Sequence, residues 1–147
     1  MPRLLVVHHT PSPNLQAVLE AVKEGVAMVD DVDAVYRPAL SAGAADLLEA
    51  DGVLLGTPAN IGYMSGALKH FFDTVYYPCL DATVGLPYGV YVHGGDDTAG
   101  AMAGIEKIVR ALQWKAVAAP LSLTGPPSKD DLEAVRELAA TVAVQLS

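Results

Sequence analysis

The chain has 147 residues, 52% of them hydrophobic, and its 17 acidic side chains against 9 basic ones give a net charge of −8. The length suits a single domain over residues 1–147, and no apolar run approaches the roughly 20 residues that cross a bilayer, which argues against a membrane protein. Since the basic residues form no cluster, nucleic acid and anionic membranes are poor candidate partners.

Apolar runs alternate along the chain with segments of helical periodicity, a pattern typical of a parallel sheet covered on both faces. In chain order the predicted elements are a strand at 4–8, a helix beginning near 13, a strand at 34–36, a helix at 44–50, a strand at 52–55, a helix at 65–77, a strand at 88–92, a helix at 101–112, a strand at 116–123 and a last helix after 128. The prediction is therefore an α/β fold with five strands and about five helices, without internal repeats.

The amino-terminal apolar run is predicted to be a strand rather than a signal peptide. His8 and His9 follow it directly, where a cleavage site would need small residues. The single cysteine, Cys79, cannot form a disulfide within one chain, which fits a reducing compartment. We therefore expect a cytoplasmic protein.

Three loops are predicted to follow the carboxyl ends of strands, where ligands bind in open parallel sheets. They span residues 9–15, 56–64 and 93–100. The first reads Thr-Pro-Ser-Pro-Asn-Leu from Thr10, and proline near the start of a helix restricts Ser12 to the extended shape of a cap. Free N–H groups of Asn14, Leu15 and Gln16 would then suit a phosphate. The alternative, that Ser12 only caps its own helix, stays equally open.

A longer motif carries a family resemblance. Residues 56–73 read GTPANIGYMSGALKHFFD and resemble the second flavin loop and following helix of the flavodoxin-like NAD(P)H:FMN reductases and quinone reductases. With the first loop and the segment HGGDDT at 93–98, the resemblance covers essentially the whole chain in the same order. It implies a flavodoxin-like three-layer sandwich, with a five-stranded parallel sheet in the order 2-1-3-4-5.

The resemblance also implies FMN as cofactor and assigns residues to its parts. The phosphate would meet Thr10, Ser12, Asn14 and Leu15. One side of the isoalloxazine ring would meet Pro58, Ala59, Asn60, Ile61, Gly62, Tyr63 and Met64, and the other side would meet His93, Gly94, Gly95 and Asp96.

Some positions differ from the flavodoxin pattern or carry separate expectations. Pro13 and Leu15 replace the glycine and the last threonine of the usual phosphate loop, and the third loop lacks the ring-stacking aromatic of electron-carrier flavodoxins. Gly62 and Gly95 are expected to resist substitution because a Cβ would restrict the backbone or block the ring. Asp96 and Asp97 are expected to face solvent or to cap the next helix.

The resulting hypothesis is an FMN-dependent oxidoreductase that uses NADPH or NADH to reduce a small acceptor, such as a quinone or free flavin. The resemblance implies a homodimer or larger homo-oligomer. The alternative is a flavodoxin-type one-electron carrier, which the acidic surface favours. A third class, the phospho-receiver module, needs acidic residues where this chain has His8-His9 and Gly56-Thr57, and it is therefore set aside. No metal site is predicted, because no recognisable ligand spacing is present.

Overall fold

The computed structural model describes residues 1–147, and strands and helices alternate along them. The elements are β1 Arg3–His8, α1 Pro13–Ala27, β2 Asp33–Pro38, α2 Ala44–Leu48, β3 Gly52–Asn60, β4 Tyr63–Met64, α3 Gly66–Cys79, β5 Pro87–Gly94, α4 Ala99–Ala111, β6 Lys115–Ala116, β7 Leu121–Thr124 and α5 Lys129–Val144. No helix is long and apolar enough to span a membrane.

The sheet runs β2-β1-β3-β5, and β6 and β7 share the fifth position as separate parallel partners of β5. This confirms the predicted order of the five positions. The predicted count of five strands is wrong, because the last strand is interrupted and a short β4 pairs antiparallel with β3. Pro120 lies in the interruption, and proline has no N–H to donate to a ladder.

Strand β3 is longer than the sequence predicted. A loop was expected from Gly56, yet the parallel pairing with β5 continues to Pro58 opposite His93. The glycine belongs to the sheet because a Cβ at Gly56 would collide with the ring of Tyr91, which lies across it. That tyrosine hydroxyl is fully buried and has no hydrogen-bond partner. Here glycine indicates a close side-chain approach rather than a turn.

Apolar side chains fill both faces of the sheet. One buried cluster joins the sheet to α3 and α4 and contains Phe71, Phe72 and Ile105. The other joins it to α1 and α5 and contains Leu15 and Val142. With a helical layer on each face, the carboxyl edge of the sheet is left to the connecting loops.

Candidate functional site

Three connections meet at the carboxyl edge because their strands are neighbours. The last residue of β1, His8, lies opposite Gly56 of β3, and Pro58 of β3 lies opposite His93 of β5. The β1–α1 loop, the β3–β4 hairpin and the β5–α4 loop therefore extend from adjacent positions of one edge. The structure thus brings the three predicted segments to the same end of the sheet.

The β1–α1 loop ends in a capped helix. Ser12 has extended backbone angles (φ −138°, ψ 159°), and its Oγ accepts a hydrogen bond from the Leu15 N–H at 3.2 Å. The Gln16 N–H donates to the Ser12 carbonyl at 2.9 Å. The expectation that Leu15 and Gln16 offer free N–H groups is therefore wrong, because the cap and the first helical bond use them. Leu15 also buries its side chain in the core.

The same loop keeps other donors free. The N–H groups of Thr10, Ser12 and Asn14 donate to no acceptor in the protein. Pro11 and Pro13 lie between them and have no N–H. The capping role of Ser12 leaves its hydroxyl hydrogen available as a further donor. At the positive end of a helix dipole, such a set of donors suits an anion.

A histidine at the end of β1 is hydrogen-bonded to this loop. The Nδ1 atom of His8 lies 2.7 Å from Oγ1 of Thr10. His8 is half-buried, and burial lowers the pKa of its imidazole, with smaller contributions in the same direction from the charges of Lys23 and His9. The sequence analysis gave His8 no role in the loop and missed this contact. In the sequence, only the two-residue spacing of His8 and Thr10 at the end of a strand hints at this hydrogen bond, and such a spacing is a weak signal.

The β3–β4 hairpin turns through two left-handed residues. Ala59 pairs with Met64 and Asn60 with Tyr63, and Ile61 and Gly62 between them have φ values of 49° and 74°. Two positive φ values are typical of a type I′ hairpin turn. Glycine adopts this conformation readily, which supports the expectation for Gly62, whereas a β-branched residue such as Ile61 is strained in it. The Ile61 side chain is fully exposed at the tip.

The base of this hairpin is fixed by a buried pair of hydroxyls. Thr57 Oγ1 lies 2.9 Å from Ser65 Oγ and accepts from the Ser65 N–H at 3.1 Å. Ser65 also caps α3, since its Oγ accepts from the Leu68 N–H at 3.2 Å. Both side chains are buried. The sequence analysis placed Ser65 at the start of the helix but missed its contact with Thr57.

The hairpin rests on two glycines of α4. A Cβ at Gly100 would collide with the carbonyl oxygen of Gly62, and a Cβ at Gly104 would collide with the ring of Tyr63. Residues four apart lie on one helix face, so these glycines form a flat strip under the hairpin. The sequence analysis did not identify this strip, although the spacing G-x-x-x-G was a readable signal. The strip holds the ring of Tyr63 against α4, with 39% of the residue exposed.

The β5–α4 loop is joined to its neighbour by His93. Its Nε2 lies 2.8 Å from the Gly125 carbonyl oxygen, and the Gly125 N–H donates to the Gly94 carbonyl at 3.0 Å. His93 is buried. The backbone reason for expecting Gly95 to resist substitution is wrong, because its φ is not left-handed. A Cβ there would meet no protein atom within 4 Å, and the expectation that it would block the ring stays a prediction.

The two aspartates of this loop behave as expected. Both are exposed. Asp97 Oδ1 accepts from the Ala99 N–H at 3.0 Å, at the start of α4, and Asp96 Oδ1 accepts from the Asp97 N–H. The N–H groups of Gly95 and Asp96 donate to no acceptor in the protein. This loop therefore presents backbone donors at the same edge as the β1–α1 loop.

The candidate site is an open edge rather than a deep pocket. The main concavities of the surface lie elsewhere, and one is at the opposite edge between Pro2, Pro87 and Leu146. The three connections supply hydroxyls and unpaired N–H groups, but no lysine or arginine lies within 9–15, 59–64 or 93–98. An anion here would be held by backbone and hydroxyl donors.

Comparisons with known proteins agree on the fold. No family model matches the chain. A flavodoxin from Aquifex aeolicus (strain VF5) is 33% identical over 75 residues, which make up 51% of this chain but only 40% of that flavodoxin. A solved flavodoxin from the domain Archaea superposes with a TM-score of 0.85 at 20% identity, over 98% of both chains. The apo form of an NADH:FMN oxidoreductase superposes with a TM-score of 0.82 at 15% identity, over 100% of this chain and 91% of that one. The chain has the flavodoxin-like fold.

Proposed function

We propose that this flavodoxin-like protein binds FMN across the carboxyl edge of its sheet and acts as an NAD(P)H-dependent oxidoreductase on a small acceptor. The observation that carries the FMN part is the set of unpaired N–H groups on Thr10, Ser12 and Asn14. They lie at the start of α1, where the helix dipole favours negative charge. The similarity to a flavodoxin and to an NADH:FMN oxidoreductase supports the same cofactor.

The residues of the edge fit the parts of FMN. The β1–α1 loop would hold the phosphate with three N–H groups and the hydroxyls of Thr10 and Ser12. The β3–β4 hairpin and the β5–α4 loop lie beside it on neighbouring strands, where they would flank the ring. FMN, when bound, supplies the hydride-transfer chemistry. The protein would position the cofactor and leave space for nicotinamide and acceptor.

The free N–H groups of Gly95 and Asp96 give the β5–α4 loop a second role. Preorganised backbone donors stabilise negative charge that develops during a reaction. These two N–H groups would stabilise negative charge on the edge of the reduced ring. No side chain would then have to donate a proton to it. Asp97 Oδ1 accepts from the N–H of Ala99 at the start of α4, and Asp96 Oδ1 accepts from its own neighbour. The proposal gives neither carboxylate a role as general acid or base.

Two observations favour a reductase over a carrier. Residues 56–73 resemble the flavin loop of FMN and quinone reductases, and the β5–α4 loop has two glycines and no aromatic residue where carrier flavodoxins stack a ring. An uncovered ring face suits a nicotinamide that must stack on it. The carrier is the second candidate, favoured by the net charge of −8 and by the similarity to flavodoxins.

The cofactor and the role are tested in two steps. Flavin-free protein titrated with FMN and FAD should bind FMN at least as tightly, because one helix terminus offers one phosphate site. A preference for FAD would contradict the proposed orientation. The loaded protein should then oxidise NADH or NADPH when a quinone is added. If no nicotinamide is oxidised and photoreduction gives an abundant, long-lived semiquinone, the protein is a carrier.

The expected homo-oligomer remains part of the proposal. Sedimentation of the FMN-loaded protein is expected to give at least twice the mass of the 15.3 kDa chain. A monomer at all protein concentrations would show that each chain completes its own ring site.

A further inference from the structure

The contact between His8 and Thr10 lies at the phosphate end of the proposed cofactor site. The 2.7 Å separation of Nδ1 and Oγ1 requires a proton between them. A threonine hydroxyl has one hydrogen, and a neutral imidazole has one protonated and one bare nitrogen. Either the hydroxyl donates to a bare Nδ1, or a protonated Nδ1 donates to the hydroxyl oxygen.

These two arrangements differ in what Thr10 can offer an anion. When Nδ1 is bare, the hydroxyl hydrogen of Thr10 is used by the imidazole, and lone pairs face the ligand. When Nδ1 carries a proton, Thr10 accepts from His8, and its own hydrogen can be donated to a phosphate oxygen. The imidazolium form always has this second arrangement and adds a positive charge. A phosphate is therefore bound best when Nδ1 is protonated.

We propose that His8 is a positioning residue that turns the Thr10 hydroxyl towards the phosphate monoester of the cofactor. The proposal rests on the function proposed above and adds a residue that the resemblance did not assign. His8 then has two effects on the phosphate: it orients the Thr10 hydroxyl as a donor, and its imidazolium form places a positive charge near a loop that has no lysine or arginine. The affinity for FMN is therefore expected to depend on the protonation of His8.

The groups around His8 fix the direction of that dependence. On α1, Lys23 lies near enough to lower the pKa of His8, as does His9 next to it in the chain. The Nζ of Lys23 is 5.5 Å from the ring centre of Tyr36 on β2, and the charge of Glu20 acts on the same tyrosine. On β3 the neighbour is Gly56, and Tyr91 of β5, which lies across it, is buried and its pKa is raised, so it is uncharged at neutral pH.

A phosphate bound at the start of α1 would raise the pKa of His8, opposing its lowering in the free protein. The extra affinity for FMN should be fully present below the pKa that His8 has in the free protein. It should be lost as pH rises through the higher pKa of the complex. The pH window of this loss therefore begins at the pKa of His8 in the free protein, below the ordinary histidine value of 6.5, and ends at the higher pKa of the complex.

The test compares FMN affinity from pH 5 to pH 8 in the wild type and in His8→Asn, whose amide can donate to Thr10 at every pH. The phosphate of FMN titrates in both proteins, so the difference between their profiles isolates His8. Wild-type affinity relative to His8→Asn should fall roughly tenfold across the window, the size of one charge-assisted hydrogen bond. Thr10→Val should weaken the dependence although His8 is still present, because the hydroxyl that His8 orients is gone and only the charge of the imidazolium still acts on the phosphate.

Two further variants separate this role from a structural one. Lys23→Gln should move the midpoint to higher pH, because it removes a charge that lowers the pKa of His8. His9→Asn is the matched control, a neighbouring histidine without a contact to Thr10. It should keep the size of the pH dependence and move its midpoint to higher pH, because His9 also lowers the pKa of His8. Riboflavin, which lacks the phosphate, should show no dependence in any of these proteins.

A measurement without variants covers the case in which His8→Asn does not fold. Ring resonances of His8 in the wild type should report a higher pKa with FMN than with no ligand, and no change with riboflavin. Coincident profiles for wild type and His8→Asn, or an unchanged His8 pKa with FMN bound, would overturn this inference and leave the proposed function standing. If FMN binds at no pH, the proposed function itself fails.

Discussion

The β1–α1 loop and the β3–β4 hairpin lie side by side on one edge but are built in opposite ways. The loop is fixed by a local cap, the Ser12–Leu15 bond, and leaves three N–H groups unpaired. The hairpin pairs its strands, buries the Thr57–Ser65 contact and lies on Gly100 and Gly104 of a distant helix. The first region is therefore determined by short-range sequence and is ready for a ligand, whereas the second depends on tertiary packing.

The largest effect is expected where the hairpin meets α4. Gly100→Ala would place a Cβ against the Gly62 carbonyl, which is backbone and cannot rotate away. We expect a loss of about 1–3 kcal/mol in the free energy of unfolding, the usual cost of overpacking, measured by urea denaturation. Gly66→Ala is the matched control, since its Cβ would meet nothing within 4 Å. Equal stability of the two variants would show that the hairpin does not depend on this strip.

An effect of intermediate size is expected at the cap of α1. Ser12→Asp keeps a helix-capping side chain but places a carboxylate beside the proposed phosphate, so FMN affinity should fall at least about tenfold. Titration with riboflavin should show little change. Ser128→Ala removes the equivalent cap of α5, where Oγ accepts from the Asp131 N–H at 3.0 Å, and should lower stability by about 1 kcal/mol without affecting FMN. Normal FMN binding by Ser12→Asp would place the phosphate elsewhere.

The smallest effect is expected at the tip of the hairpin. Ile61→Asn creates the Asn-Gly pair preferred in type I′ turns and removes a β-branched residue from a φ of 49°. Stability should rise by about 1 kcal/mol, as measured by thermal or urea unfolding. Val84→Asn, a change from an apolar to an amide side chain at another exposed position, is the control. A loss of stability in Ile61→Asn would mean that the tip is not strained.

The same contrast explains what could be predicted from the sequence. The cap at Ser12 and the start of the last helix after 128 depend on local pattern and were expected from it. The order of the strand positions was implied by the family resemblance. The extension of β3 to Asn60 was not predicted, because Gly56 is needed for the ring of Tyr91, which is 35 positions further along the chain. The glycine strip of α4 and the His8–Thr10 contact were missed for a related reason: the sequence shows the G-x-x-x-G spacing and the two-residue spacing, but not which groups they would meet.

The most direct test of the central claim follows the backbone amides of Thr10, Ser12 and Asn14 by NMR during titration with FMN and, separately, with riboflavin. If these groups hold the phosphate, all three resonances shift with FMN and stay nearly unchanged with riboflavin. Resonances from the hairpin and from 94–97 should shift with both ligands. If the three amides respond equally to riboflavin, or do not respond to bound FMN, the start of α1 is not the phosphate site.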